Sequence, residues 1–219
     1  MISQRLATGA VRLNAGCRVP ALVLMTDLAR LPDPVAAAWH LPRGATVILR
    51  DAGHPARLEL GKSLAQVARR RGLVLLVSGD AALAIRLHAH GLHLPEADMH
   101  RAPGLRLRHP HWLITGAAHS RGAINKAGRL GLDAVFLSPV FATASHPGST
   151  FLGPLRFHAM TRAARIPVLA LGGVDAATVG RLPAGTAGVA AIGALAAGIR
   201  PSLLSRRWRG SPLCGGRAG

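Results

Sequence analysis

Eight short apolar runs punctuate this chain, and between them the residues follow helical spacing. "ALVLMTD" (21–27), "TVILRD" (46–51), "LVLLVSG" (73–79) and "LHL" (92–94) come first. "HWLITGAA", "DAVFLSPV", "IPVLALGG" and "AGVAAIGAL" follow. The runs are continuously apolar rather than alternating, as required of strands buried on both faces of a parallel sheet. "PDPVAAAWHL" (32–41), "ARLELGKSLAQVARRRG" (56–72), "DAALAIRLHAHG" (80–91), "SRGAINKAGRLG" and "GPLRFHAMTRAAR" read as helices, and "DAATVGRL" as a shorter one. Asp33 and Asp80 are N-cap candidates, and Gly72 and Gly91 are expected stops.

Eight β-then-α units favour an α/β fold, a single compact (β/α)8 TIM barrel, over an open doubly wound sheet. The fourth helix is degenerate, because 95–110 is rich in proline and arginine. The division expected is an N-terminal extension (1–20), the barrel (21–197) and a basic C-terminal tail (198–219), with order fading along the tail.

The 219 residues suffice for one core. No stretch reaches the roughly 18 apolar residues of a membrane span, and the first twenty, interrupted by Arg5, Arg12 and Arg18, lack the apolar segment of a secretory signal. A cytoplasmic protein is expected. Cys17 and Cys214 form no metal-ligand spacing. The net charge of +18 comes from arginine scattered along the whole chain, without aromatic stacking platforms, an RNA-binding signature or zinc-finger spacing. Nucleic acid is therefore not the expected partner; phosphorylated small molecules fit the charge.

In such a barrel the active site lies at the C-terminal ends of the strands. Of nine acidic residues, Asp27, Asp51, Asp80, Glu96, Asp98 and Asp175 fall there, which reads as a crowded acidic mouth. Asp80 and Asp175 also suit plain helix capping. Gly172 and Gly173 close strand 7 and Gly193 closes strand 8. Glycine there lets backbone amides approach phosphate oxygens, and it also serves tight turns. "FATASHPGST" after strand 6 becomes a loop over the mouth. Thr143, Ser145 and Ser149 can donate to phosphate oxygens, and His146 can do so with charge when protonated. His88 and His90, two apart on the expected helix, do not face one another, and His93, His109 and His111 read as structural or solvated.

The chain resembles the thiamine phosphate synthase/TenI family over about 21–197. The match is densest in "GLDAVFLSPVFATASHPGS" and continues through "IPVLALGGV" and "AGVAAIGAL". "LMTD", "VILRD", "GLHLPEAD" and "ITGAAHS" resemble earlier motifs. The resemblance implies condensation of an aminopyrimidine pyrophosphate with thiazole phosphate to thiamine phosphate, with release of pyrophosphate and with Mg²⁺ as cofactor. Arg50 then matches the arginine of strand 2, Asp98 a magnesium carboxylate, Thr143 and Ser145 the loop hydroxyls that meet thiazole phosphate, and Gly173 and Gly193 the phosphate cradle. The sequence departs from the family at Ile48 and Ala52, where glutamine and lysine are expected. It departs again at Ser78 and Gly79, where asparagine and a metal-binding aspartate are expected. One metal carboxylate is thus lost, with Asp80 one residue on as a substitute. Ala117 replaces a serine, and His146 replaces the loop lysine. The implied partner is a phosphorylated small molecule, without a membrane, and a homodimer stays open. Two alternatives accompany this reading. One is a TenI-type thiazole tautomerase with His119 as the acid–base group. The other is a non-catalytic barrel that binds a phosphorylated ligand.

Overall fold

The computed structural model describes residues 18–143 and 150–195. Its eight strands are all parallel and pair in sequence order until β8 closes on β1. They are β1 (Leu22–Met25), β2 (Thr46–Leu49), β3 (Val74–Ser78), β4 (Gly91–Leu94), β5 (Leu113–Ala118), β6 (Ala134–Leu137), β7 (Val168–Leu171) and β8 (Gly188–Ala191). Among the described residues six α-helices pack outside: α1 (Pro34–Trp39), α2 (Arg57–Arg71), α3 (Ala81–Arg86), α4 (Ala102–Arg108), α5 (Arg121–Arg129) and α6 (Gly153–Arg162). The chain is a (β/α)8 barrel. Among the described residues no helix is long and apolar enough to cross a membrane.

Continuous apolar runs become strands here because each strand serves two cores. Outward-facing Val47, Leu49, Leu75, Val77, Ile114 and Val135 join the layer under the helices. Inward-facing Val23, Met25, Ile48, Val74, Leu76, Phe136 and Leu169 fill the barrel. Side chains alternate with period two. The next inward positions beyond Ile48, Leu76 and Phe136 are therefore Arg50, Ser78 and Ser138. The apolar filling of the barrel ends one layer below these polar residues, and that step creates the site.

The helix boundaries follow local chemistry. Asp33 accepts the Ala36 amide at 2.8 Å and opens α1 with Pro34 in its first turn. Gly72 ends α2 in the left-handed conformation (φ 63°), behind Arg69, Arg70 and Arg71 in the last turn. Gly91 is not the stop of α3. That helix ends at Arg86, His88 takes φ 50°, and Gly91 begins β4. A Cβ on Gly91 would lie 2.0 Å from the Leu113 carbonyl oxygen, so glycine is required for the strand to pair with β5. His88 and His90 accordingly leave the helix, and His90 Nδ1 accepts the Leu75 amide at 3.1 Å. After β4, a 3-10 stretch (Glu96–Arg101) runs into the two-turn helix α4. The short helix expected after β7 is a single 3-10 turn (Val179–Arg181). Residues 1–17 and 196–219, which hold most of the expected extension and tail, lie outside the described residues.

Candidate active site

A pocket of about 1090 Å³ opens at the C-terminal ends of the strands. That is at the upper end of the range of small-molecule clefts. Its walls bring together Arg50, Ser78, His119, Thr143, Gly172, Gly173 and Gly193 of the residues expected from sequence. Ser145 and His146 lie outside the described residues. Asp80 and Asp98 do not line the pocket.

The positive charge comes from Arg30, Arg50 and Arg181. Arg50 follows β2, its amide donating to Thr26 Oγ1 at 2.9 Å. Its guanidinium has no hydrogen-bond partner among the described residues. Its charge is felt across the mouth, by Asp27 after β1 and by His93 on β4. Arg181 lies over the Phe141 ring, 5.4 Å from its centroid, and makes no ion pair among the described residues. Arg30 pairs with Asp27 through Nε and Nη2. That hydrogen bond holds the Asp27 carboxyl below its ordinary range. Arg30 and Arg181 carried no motif in the sequence; only the barrel's closure brings them to the mouth.

The acidic residues do not form the expected crowded mouth, since Asp175 alone among them lines the pocket. The carboxylates, Asp175 included, brace loops. Asp51 accepts from the Thr26 hydroxyl and from the Leu28 amide at 2.9 Å. Glu96 accepts the His119 amide at 2.9 Å. Asp175 accepts the amides of Ala177 and Thr178, both at 2.9 Å. Asp80 Oδ1 caps α3 at the Leu83 amide (2.9 Å), while its Oδ2 faces Arg57 Nη1 at 3.4 Å. Asp98 pairs with Arg101 Nη1 at 3.5 Å. In a barrel with this much arginine, carboxylates are drawn into local ion pairs and caps.

His93 sits at the pocket floor, 5% exposed, with its ring edge against Phe136 at a centroid distance of 5.1 Å. Its Nδ1 lies 3.1 Å from Thr115 Oγ1 on β5. Burial, with a smaller contribution from the Arg50 charge, pushes its pKa down to about 3, so the imidazole is neutral. His119 follows β5. Its Nδ1 lies 3.0 Å from the Ser138 carbonyl oxygen, which can only accept, so Nδ1 carries the proton and Nε2 keeps the lone pair.

Gly172 and Gly173 have φ of 92° and 63°. A Cβ on Gly172 would approach the Pro139 Cα to 2.8 Å, and one on Gly173 would approach the Ala142 carbonyl oxygen to 2.3 Å. These glycines let β7 pass directly beneath the loop that leaves β6, where the Ser138–Pro139 peptide is cis. A Cβ on Gly193 would meet only the Arg30 carbonyl oxygen, at 4.0 Å.

A (β/α)8 barrel with an arginine-lined mouth and glycines at its last two strand ends defines a class of barrel suited to phosphorylated ligands. The profile of the thiamine monophosphate synthase family matches residues 26–195, and the chain belongs to that family. It is 30% identical over 200 residues to a thiamine-phosphate synthase of Chlamydia caviae, spanning 86% of this chain and 92% of that one. With a thiamine-phosphate synthase of Methanoculleus marisnigri it shares 35% identity over 178 residues, 78% of this chain and 79% of the other. Among solved structures, a thiamine phosphate pyrophosphorylase from Pyrococcus furiosus superposes with a TM-score of 0.64 at 22% identity. It covers 83% of this chain and 86% of that one, a likeness of fold.

Proposed function

We propose that the chain condenses an aminopyrimidine diphosphate with a thiazole phosphate, forming thiamine phosphate and releasing pyrophosphate. The observation that supports this reading most is the Arg50 guanidinium, without a hydrogen-bond partner among the described residues, in a pocket whose opposite wall is the glycine-rich end of β7. In the reaction the methylene C–O bond breaks and its electron pair leaves with pyrophosphate. The thiazole nitrogen then supplies the pair for the new C–N bond. Charge develops on the leaving oxygens, and a guanidinium free to meet them favours that state over the intact diphosphate. Arg30 adds charge on the same side of the mouth. Thr143, Gly172, Gly173 and Gly193 form the proposed seat of the thiazole phosphate, with Arg181 beside them. His93, neutral and buried, offers a hydrogen bond to a ring without adding charge. Ser78 stands where the pyrimidine is expected to lie.

The resemblance implies Mg²⁺ held by Asp98 and a carboxylate after β3. The donors present do not fit it. Both Asp80 oxygens face protein donors, Asp98 is paired with Arg101, and the described residues contain no cluster of three or more His, Cys, Asp or Glu side chains placed for a metal. No step is assigned to the ion.

The His119 tautomer favours a second reading. A lone pair on Nε2 in a residue lining the pocket suits proton transfer on a thiazole, the TenI-type chemistry. A cytoplasmic location belongs to either reading, in which the phosphorylated substrates cross no membrane unaided.

The test is incubation with both substrates, following thiamine phosphate by oxidation to fluorescent thiochrome, beside an Arg50→Ala variant. Product formation that collapses in the variant supports condensation. Absence of product, while thiazole phosphate still raises the melting temperature, overturns it in favour of the tautomerase or of a non-catalytic barrel that binds a phosphorylated ligand.

A further inference from the structure

We infer that two guanidinium groups hold the ends of β3 and β4 together where the resemblance implies a divalent cation, so that this pocket takes a diphosphate on arginine alone. The inference rests on the proposed diphosphate chemistry and concerns how the same site meets it.

Arg57, at the start of α2, reaches the turn after β3. Its Nη2 donates to the Ser78 carbonyl oxygen at 2.6 Å, and its Nη1 faces Asp80 Oδ2 at 3.4 Å. The Arg57 side chain is only 14% exposed, so its guanidinium is held at this turn, while its partner Asp80 is 41% exposed. Arg101, in the 3-10 stretch after β4, approaches the same turn from the other side. Its Nη1 donates to the Gly79 carbonyl oxygen at 3.1 Å and pairs with Asp98 at 3.5 Å. Residues 78–80 therefore receive guanidinium at two carbonyl oxygens and one carboxylate. Arg101 joins that turn to Asp98, which is the bridging task a cation would perform.

A divalent ion entering here would meet two guanidinium groups engaged at the same turn, and like charges at short separation repel. It would also have to take Asp80 from the Leu83 amide and strip Asp98 from Arg101. Magnesium asks for near-octahedral oxygen ligation and gives up its water reluctantly, so a site whose carboxylates are already engaged does not compete. The pocket in turn carries cation of its own: Arg50 and Arg181 line it without an ion pair among the described residues, beside Arg30, which is paired with Asp27, and Asp175 is the one acidic side chain among the described lining residues. Planar guanidinium forks match phosphate oxygens directly. Cations lost from the family's usual positions are thus balanced by arginines elsewhere on the rim.

Two measurements on the full chain test this. Isothermal titration calorimetry with inorganic pyrophosphate compares buffer containing EDTA with buffer containing Mg²⁺. Electron paramagnetic resonance then titrates Mn²⁺ into the protein without other ligand. The expected result is pyrophosphate bound no more weakly in EDTA than in Mg²⁺, with Mn²⁺ remaining free. Affinity more than about tenfold higher with Mg²⁺, or stoichiometric Mn²⁺ uptake, overturns the inference and leaves the condensation reading standing. Absence of pyrophosphate binding in both buffers overturns the inference and the condensation reading together. An Arg50→Ala variant, expected to bind pyrophosphate at least about tenfold more weakly, places the ligand in this pocket. Unchanged affinity in that variant means that the anion is held elsewhere, which also overturns the inference.

Discussion

His119 Nδ1 lies 3.0 Å from the carbonyl oxygen of Ser138, and the His119 amide donates to Glu96 Oε2 at 2.9 Å. The ring is thus tied to β6 and its backbone to the loop after β4, with one tautomer selected. The two candidate reactions demand different things of this residue. Condensation requires no proton abstraction by an imidazole, whereas thiazole tautomerisation does. His119→Asn keeps a hydrogen-bond donor near Ser138 and removes the base. For a synthase, kcat for thiamine phosphate should fall by less than about tenfold, whereas loss of a general base lowers a rate by about 10²–10⁴. Steady-state kinetics of both reactions in the variant distinguish the cases.

Arg50 is the cation on which the proposed condensation depends most. Removing one preorganised electrostatic donor costs roughly 10²–10³ in kcat in comparable sites. Arg50→Ala is expected to fall in that range, and Arg50→Lys to recover part of the rate without the bidentate geometry. The loss should appear in kcat more than in the KM for thiazole phosphate, because the guanidinium stabilises charge that develops on the leaving group. An equal rise in KM with unchanged kcat would instead mark Arg50 as a ground-state anchor.

Acid sensitivity should originate at the pocket floor. The His93 pKa is lowered from 6.5 to about 3. His90, also depressed by burial, has the same sign. The unfolded chain therefore binds more protons than the folded one between those limits, so stability rises with pH through that interval. It is lost progressively as pH falls below about 6.5. The Asp27 carboxyl, held low by Arg30, contributes a loss of the same direction only nearer its own range, below 3.8. Urea unfolding midpoints measured from pH 7 to about pH 4.5 isolate the histidines. His93→Gln should flatten that slope and keep a hydrogen bond to Thr115. A slope unchanged by the substitution would place the sensitivity elsewhere.

The barrel was legible because parallel strands buried on two faces must be written as continuous apolar runs, and eight of them alternate with helical spacing. The strand ends that position Arg50, Ser78, Thr143, Gly172, Gly173 and Gly193 were legible for the same reason. Gly91 was misread because a glycine after a helical pattern serves equally as a helix stop or as a point of close strand approach. Only the Leu113 carbonyl oxygen, across the sheet, decides between them. The capping roles of Asp80 and Asp175 were legible, but the crowded acidic mouth was not there to be read, because position along the chain does not reveal partners. Asp80 and Asp98 stand where metal ligands are expected, but Arg57 and Arg101, 23 and 3 residues away from them, have engaged both. Arg30 and Arg181 were invisible as site residues, since one lies in the loop after β1 and the other in a single 3-10 turn, neither carries a motif, and each meets the pocket only through barrel closure.

The glycines at the last two strand ends allow packing and phosphate approach to be separated. Gly173→Ala combines φ of 63° with a Cβ placed 2.3 Å from the Ala142 carbonyl oxygen. It should destabilise the fold by about 1–3 kcal/mol through strain and displacement of the β6 loop. Any loss of ligand binding would follow from that damage. Gly193→Ala differs, because its Cβ meets nothing nearer than 4.0 Å. Stability should then change by less than about 0.5 kcal/mol. If the Gly193 backbone approaches the thiazole phosphate, a methyl group there obstructs the oxygens, and affinity for thiazole phosphate should fall by about tenfold, roughly 1.4 kcal/mol. Thermal unfolding and calorimetric titration on the same preparation give both numbers. A fully stable Gly193→Ala protein with unchanged affinity would remove Gly193 from the phosphate seat and leave Gly172, Gly173 and Thr143 to form it.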